Sequence, residues 1–351
     1  MDKERVKTFA DKVLADMAGA MAVGMAYLGV KTGLFRALAG KGPMTAAEAA
    51  RAAALDARYV EEWLNGMTAA GYLAYDPAAR TFALPAEHAH LVASEGNDHF
   101  MGGLFCFAPV LLGVAPKVAE AFRTGGGVPF REFGPDGVAA LDMINAGQYE
   151  QRLAGYWLSK LPDVVRRLEN GGRALDVGCG VGRVGIAIAK AFPRCEAVGL
   201  DPDPESIRRA REAAARAGVA DRVRFVAATT RELDRGEGFD LIAACDCVHD
   251  FAAPRRTLGE LRGLLKPEGT LFVVEPRAAD RLEDNLNPVA AMYYGFSLFH
   301  CMTQSLAEGG PGLGTCMGPG RTERLLREAG FGRFERLDIK SQTNLFYAAR
   351  P

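Results

Sequence analysis

From residue 173 onward, short apolar runs alternate with amphipathic helical patterns, and this alternation limits the possible fold more than any other feature of the chain. Strand "RALDV" leads to helix "GRVGIAIAKAF", "EAVGLD" to "PESIRRAREAAARAG", and "RVRFVAA" to a short helical "RELDRG". "FDLIAACD" then leads to "PRRTLGELRGLL", "GTLFVVEP" follows, and "FGRFERLDI" and "NLFYAARP" close as a hairpin. Seven strands in this order predict an α/β, doubly wound, Rossmann-like sheet whose ligand sits outside the carboxyl ends of the first strands.

Before residue 170 the pattern is helical. Thr45 and Glu48 have capping-box spacing, two Ala-rich helical runs follow, and "GYLAYDPAARTFAL" reads as a hairpin turning at Asp76-Pro77. Helix, turn, helix and two-stranded wing make a winged-helix pattern. The helix at 57 to 70 that would enter a DNA groove carries Arg58 but also Glu61 and Glu62, which phosphates repel, so dimerisation or a lid role is the expectation. The chain divides into a winged-helix dimerisation domain at 1–95, a helical linker and substrate-chamber region at 96–170, and a ligand-binding domain at 171–351. Within the middle region, Phe105, between Phe100 and Phe107, is a candidate chamber wall, and "RTGGGVPF" (123 to 130) is a hinge or a surface loop.

Composition narrows the partners. Lys plus Arg (42) nearly cancel Asp plus Glu (43), so no global field attracts nucleic acid or an anionic membrane, and a small molecule is favoured. Seven cysteines at scattered apolar positions fit a reducing, cytoplasmic setting. The apolar N-terminal run is broken by Asp11, Lys12 and Asp16 and is shorter than the ~18 residues a membrane span needs. The apolar stretch at 101 to 116 carries Pro109 and Pro116. Neither is expected to cross a membrane. Cys245 and Cys247 form a C-x-C without a second ligand pair, so no metal is expected.

The glycine loop after "RALDV" holds Gly178, Gly180, Gly182 and Gly185, enough to satisfy a loose dinucleotide pattern. Two features decide against phosphate-bearing ligands. Asp176, at the strand end before the glycines, repels a pyrophosphate and attracts an ammonium group. No P-loop lysine follows, which disfavours a nucleoside triphosphate. Asp201, ending "GLD", is placed to accept hydrogen bonds from ribose hydroxyls. An adenosine joined to a zwitterionic amino acid fits this set, and that ligand is S-adenosylmethionine.

Residues 173 to 350 resemble the class I S-adenosylmethionine-dependent methyltransferases: "LDVGCGVG", "GLDPDPESIRRARE", "FDLIAACDCVHD", "LLKPEGTLFVVEP" and "LLREAGF" occur in family order. With the winged-helix half, nearly the whole chain is similar to the small-molecule O-methyltransferases that dimerise through that half. The resemblance implies that Gly178, Gly180 and Gly182 let the backbone approach the methionine part and that Asp201 holds the ribose. It places Cys179, Pro202 and Cys245 beside the cofactor. "FVAATT" puts Thr229 where many members have Asp, leaving the adenine contact to Thr229 or Asp246.

An acceptor hydroxyl must lose its proton, and a histidine is suited to take it at neutral pH. "CDCVHDF" supplies His249 just past the fourth strand. The plant-type O-methyltransferases resemble this segment, which makes His249 the general base with Asp250 beside it and Glu275 orienting its ring. Their second orienting acid would fall near Pro319, Gly320 and Arg321, where this chain has none. The competing account has His249 cap the next helix or only hydrogen-bond the substrate. A metal-assisted mechanism would need an Asp-Asn pair directly after "VVEP", and the chain has "RA" there. Between 285 and 318, Tyr293, Tyr294 and His300 are candidate substrate contacts, against a reading as a packed helix plus surface loop. Arg277 and Arg321 could each bind a substrate anion. An N- or S-acceptor methylated by proximity, a cofactor-sensing regulator and an NAD-dependent oxidoreductase remain as rival functions.

Overall fold

The structure is a computed structural model describing residues 1–234 and 236–351. The chain forms two compact units, Met1–Val110 with Ala139–Gly147, and Leu111–Val138 with Gln148–Pro351. The stretch expected to stand as a separate region at 96–170 is therefore shared between them. Helices α6 (Gly102–Gly113) and α8 (Gly134–Arg152) each contribute to both.

In the first unit, α1 (Lys3–Lys31) is followed by α2 (Leu34–Leu38), α3 (Ala46–Ala53), α4 (Ala57–Ala69), the hairpin β1 (Ala74–Asp76) and β2 (Thr81–Ala83), and α5 (Ala86–Val92). The reciprocal Thr45–Glu48 capping box starts α3, and Asp56 caps α4 through the N–H groups of Arg58 and Tyr59. Trp63 joins α4 to α1, its indole N–H donating to the Met25 carbonyl at 2.7 Å, while its ring meets Phe35 edge-on at 5.1 Å. The winged-helix expectation is met in order and position. Phe105 lies here, 6.2 Å from the Tyr72 ring.

One difference concerns α1. At 29 residues it is long and apolar enough to cross a membrane by length and composition, because Asp11, Lys12 and Asp16 do not end the helix. They are absorbed as the pairs Lys7–Asp11 and Lys12–Asp16, both at 2.7 Å and i,i+4 spacing.

In the second unit, α7 (Ala115–Thr124), the C-terminal end of α8 and α9 (Pro162–Glu169) precede a seven-stranded sheet. Its strands are β3 (Arg173–Val177), β4 (Glu196–Asp201), β5 (Val223–Ala227), β6 (Phe239–Cys245), β7 (Leu265–Pro276), β8 (Arg333–Arg336) and β9 (Asn344–Arg350), in the spatial order β5-β4-β3-β6-β7-β9-β8. All neighbours are parallel except those of β9, which enters antiparallel between β7 and β8. The reversal of strand order falls between β3 and β4 on one side and β6 on the other, the crevice where such sheets bind ligands. Helices α10 (Arg183–Ala191), α11 (Pro204–Arg216) and α12 (Pro254–Leu264) connect the strands, and α13 (Pro288–Phe296), a π-helical turn (Ser297–Cys301), α14 (Met302–Ala307) and α15 (Pro319–Glu328) follow β7. Each sheet face has its own apolar cluster, one around Trp157, Ile188 and Phe272, the other around Leu200, Ile242 and Leu261. The helix expected over "RELDRG" is not formed: its described residues make only a turn. There Glu232 accepts hydrogen bonds at 2.8 Å from both the N–H and the hydroxyl of Thr229, a local closure that competes with helix.

Candidate active site

The carboxyl ends of β3, β4, β6 and β7 bring most of the expected residues together. After β3 the backbone turns through Gly178, Gly180 and Gly182, all with positive φ. Gly182 is packed from below: a Cβ there would lie 2.4 Å from the Phe225 ring. Gly180 is the opposite case, because a Cβ would meet nothing within 4 Å, so the loop presents bare backbone to open space.

Two carboxylates shape that loop. Asp176, only 2% exposed, accepts the N–H of Gly185 in the first turn of α10 at 3.0 Å. Burial raises its pKa to about 8, only partly opposed by that hydrogen bond. An added positive group would stabilise its ionised form. Asp201 accepts from the Gly180 N–H and the Asp203 N–H, both at 2.9 Å, and burial raises its pKa as well. It therefore ties the loop after β3 to the loop after β4. Cys179 is buried, with its N–H on the Leu200 carbonyl at 3.1 Å, and Cys245 is buried at the end of β6. Pro202 is exposed beside Asp201, and Thr229 is exposed and engaged with Glu232.

Asp246 follows β6 with φ +52°, an uncommon conformation for a residue with a side chain. The strain is held by partners on both carboxylate oxygens: the Tyr149 hydroxyl and the Asn344 side-chain amide each donate at 2.8 Å. Burial first, and then the nearby Glu275 charge, raise its pKa to about 7.

His249 is 2% exposed in a short 3-10 turn, Val248–Asp250. Glu275 fixes it from β7, one carboxylate oxygen 2.6 Å from Nδ1 and the other accepting the Val248 N–H at 3.1 Å. This sets Nδ1 as the protonated nitrogen and leaves Nε2 directed elsewhere, 3.5 Å from an Asp250 oxygen. Burial pulls the His249 pKa down, but the Glu275 and Asp250 charges outweigh it and hold the value well above 6.5. Asp250 is raised to about 6 by burial, opposed by the His249 charge.

The candidate substrate contacts scatter. Tyr293 is buried, with its hydroxyl donating to the Thr343 carbonyl at 2.8 Å, whereas Tyr294 is 42% exposed. His300 is buried against Phe133 and Phe130, with ring centroids 4.6 and 6.0 Å away, and burial lowers its pKa to about 3. Arg277 and Arg336 line a cavity of about 410 Å³ at the β9 side of the sheet. Tyr149, Asn344 and Cys301 are site residues that the sequence reading missed. Tyr149 and Asn344 lie about a hundred residues from Asp246 and carry no local signal, while Cys301 adjoins His300 in a segment already singled out.

Residues 168–330 match the family described as Methyltransferase domain, and residues 19–94 match the Rv2258c-like winged HTH domain. Sterol 24-C-methyltransferase ERG6 of Saccharomyces cerevisiae is 31% identical over 122 residues, 34% of this chain and 31% of that protein. The chain spans about a third of the length of the first curated relatives it matches. Among solved structures, the mitomycin 7-O-methyltransferase MmcR superposes with TM-score 0.68 at 18% identity, covering 99% of this chain and 100% of that one. PigF with SAH superposes with TM-score 0.72 at 20% identity, covering 96% and 98%.

Proposed function

We propose that this chain, a methyltransferase domain joined to an Rv2258c-like winged helix-turn-helix domain, moves a methyl group from S-adenosylmethionine to a hydroxyl of a small metabolite, with His249 as general base. The residues present suit the cofactor. Bare backbone at Gly180 leaves room for a close approach, Asp201 can accept ribose hydroxyls on its remaining lone pairs, and Asp176 gains from a neighbouring ammonium. When bound, S-adenosylmethionine supplies a methyl group already activated on a sulfonium. The chain's task is then to align the acceptor and remove its proton. His249 Nε2 receives that proton, and Glu275 on Nδ1 keeps the ring in the required tautomer and offsets the imidazolium charge.

The observation that carries this reading is the 2.6 Å contact between Glu275 and Nδ1, which makes Nδ1 the donor and leaves Nε2 as the nitrogen that can take up a proton. An acceptor found by incubating metabolite extracts with isotope-labelled methyl donor permits the test. His249→Ala should lower turnover by about 10²–10⁴-fold while S-adenosylhomocysteine affinity stays within about twofold. A loss below tenfold removes the base role and favours an amine or sulfur acceptor methylated by proximity. As to setting, we place the enzyme in the cytoplasm, where its seven free cysteines stay reduced. It is a homodimer in which a second copy covers the exposed apolar residues of α1.

A further inference from the structure

Cys301 adds a third donor to the His249 surroundings, and the proposed reaction makes no use of it. One donor atom each from His249, Asp250 and Cys301 can be chosen so that all three lie within 4.8 Å of one another. We propose that these three side chains form a zinc site and that a bound zinc ion silences the enzyme by occupying Nε2. The binding claim stands on geometry alone; the silencing claim rests on His249 being the base.

Bond lengths of roughly 2.0–2.3 Å to nitrogen, oxygen and sulfur give a tetrahedron with edges of roughly 3.3–3.8 Å. The Nε2-to-Asp250 separation of 3.5 Å is already such an edge. Small rotamer shifts of Asp250 and Cys301 would close the rest. Glu275 on Nδ1 reproduces the carboxylate–histidine pairing that metal-ligating histidines show, holding the other nitrogen toward the ion. The Asp250 oxygen nearest Nε2 is buried and has no hydrogen-bond partner in the structure, so a cation would satisfy it. Asp250 keeps 24% of its side chain exposed and provides the way in, while His249 and Cys301 are buried.

A thiolate and a carboxylate together neutralise a divalent ion, which removes most of the charge-burial cost. The sulfur, nitrogen and oxygen donor set suits zinc over magnesium or calcium. Three protein ligands leave a fourth position open, as in zinc sites that keep a water. Because the thiol must lose its proton and the imidazole must be neutral, binding weakens as pH falls.

The test uses the full-length protein stripped with a chelator and titrated with zinc against a chromogenic competitor. Wild type should bind one zinc tightly, and Cys301→Ser and Asp250→Asn should each weaken it by more than the 10–100-fold that even an outer partner contributes. Cys195→Ser, a buried thiol elsewhere, should bind as wild type, and thermal melts verify that each variant folds. Cobalt in place of zinc should give an intense thiolate charge-transfer band that Cys301→Ser abolishes. Equal zinc affinity in wild type and Cys301→Ser, or cobalt without that band, overturns the site. Zinc should also suppress methyl transfer, with recovery on adding chelator. Cys301-dependent binding with unchanged turnover would support the site and remove the base role of His249.

Discussion

His249 is buried between two carboxylates, and its protonation state sets when it can act. Its pKa lies well above 6.5 because Glu275 and Asp250 favour the imidazolium more than burial disfavours it. A base must be neutral before it accepts a proton, so kcat/KM should rise with pH, with its half-maximum above the ordinary histidine value. Glu275→Gln removes the carboxylate charge that most favours the imidazolium, which should shift that limb to lower pH while lowering kcat through loss of ring orientation. A profile that is flat from about pH 6 to about pH 9, or one that His249→Ala leaves in place, would refute the assignment. The linkage sign is the histidine one: stability gained from pairing with the carboxylates fades as pH climbs through the folded histidine value, and on the acid side the Asp250 share is lost as that carboxyl protonates near its value of about 6. Among single residues, those whose role depends on the end of a strand were legible in the sequence. Asp201 closes an apolar run and His249 follows one, so strand placement puts both on one edge, whereas Glu275 is singled out by the resemblance to the plant-type O-methyltransferases. Tyr149 and Asn344 were not legible, because their role is to hold Asp246 in a left-handed conformation that no neighbouring residue announces.

At the level of elements, the turn between β3 and α10 separates two kinds of glycine. Gly182 combines φ +83° with a Cβ position 2.4 Å from Phe225 and 3.0 Å from Ala210. Gly182→Ala should therefore destabilise the protein by about 2–4 kcal/mol, adding ~1 kcal/mol of left-handed strain to ~1–3 kcal/mol of overpacking. Gly180→Ala has only the first contribution, since open space surrounds its Cβ position. It should melt close to wild type yet bind S-adenosylhomocysteine at least tenfold more weakly, because the methyl group occupies the space through which the ligand approaches the backbone. Thermal melts and calorimetry on both variants test the contrast; equal effects would mean that the loop does not divide in this way. The central strands β3, β4, β6 and β7 are readable because parallel strands buried on both faces are near-continuous apolar runs, while the edge strand β5 carries Arg224 exposed. Periodicity predicts a helix over "RELDRG", but it cannot reveal that Glu232 satisfies the Thr229 N–H and closes a turn instead.

For the whole molecule, α1 poses the main question. Phe9, Val13, Met17 and Met21 recur every four residues and are each 45–67% exposed, forming a stripe on a helix that also carries two surface ion pairs. Such a stripe needs a cover. If a second copy supplies it, light scattering should give twice the chain mass at micromolar concentration. Phe9→Glu with Met17→Glu should yield a folded monomer. A wild-type monomer, or a double variant that remains dimeric, would point to another partner. The length of α1 was underread from sequence because charged residues in its first half suggested an interruption, whereas i,i+4 pairing lets a helix carry them.

Because β9 slots between β7 and β8 and Asn344 grips Asp246, the turn after β6 depends on a strand distant from it in sequence. The Asp246 turn is clamped only once the chain has closed a loop of about a hundred residues to Asn344, so a fold that paired its crossover strands without β9 would hold a sheet whose β6 exit is left unheld.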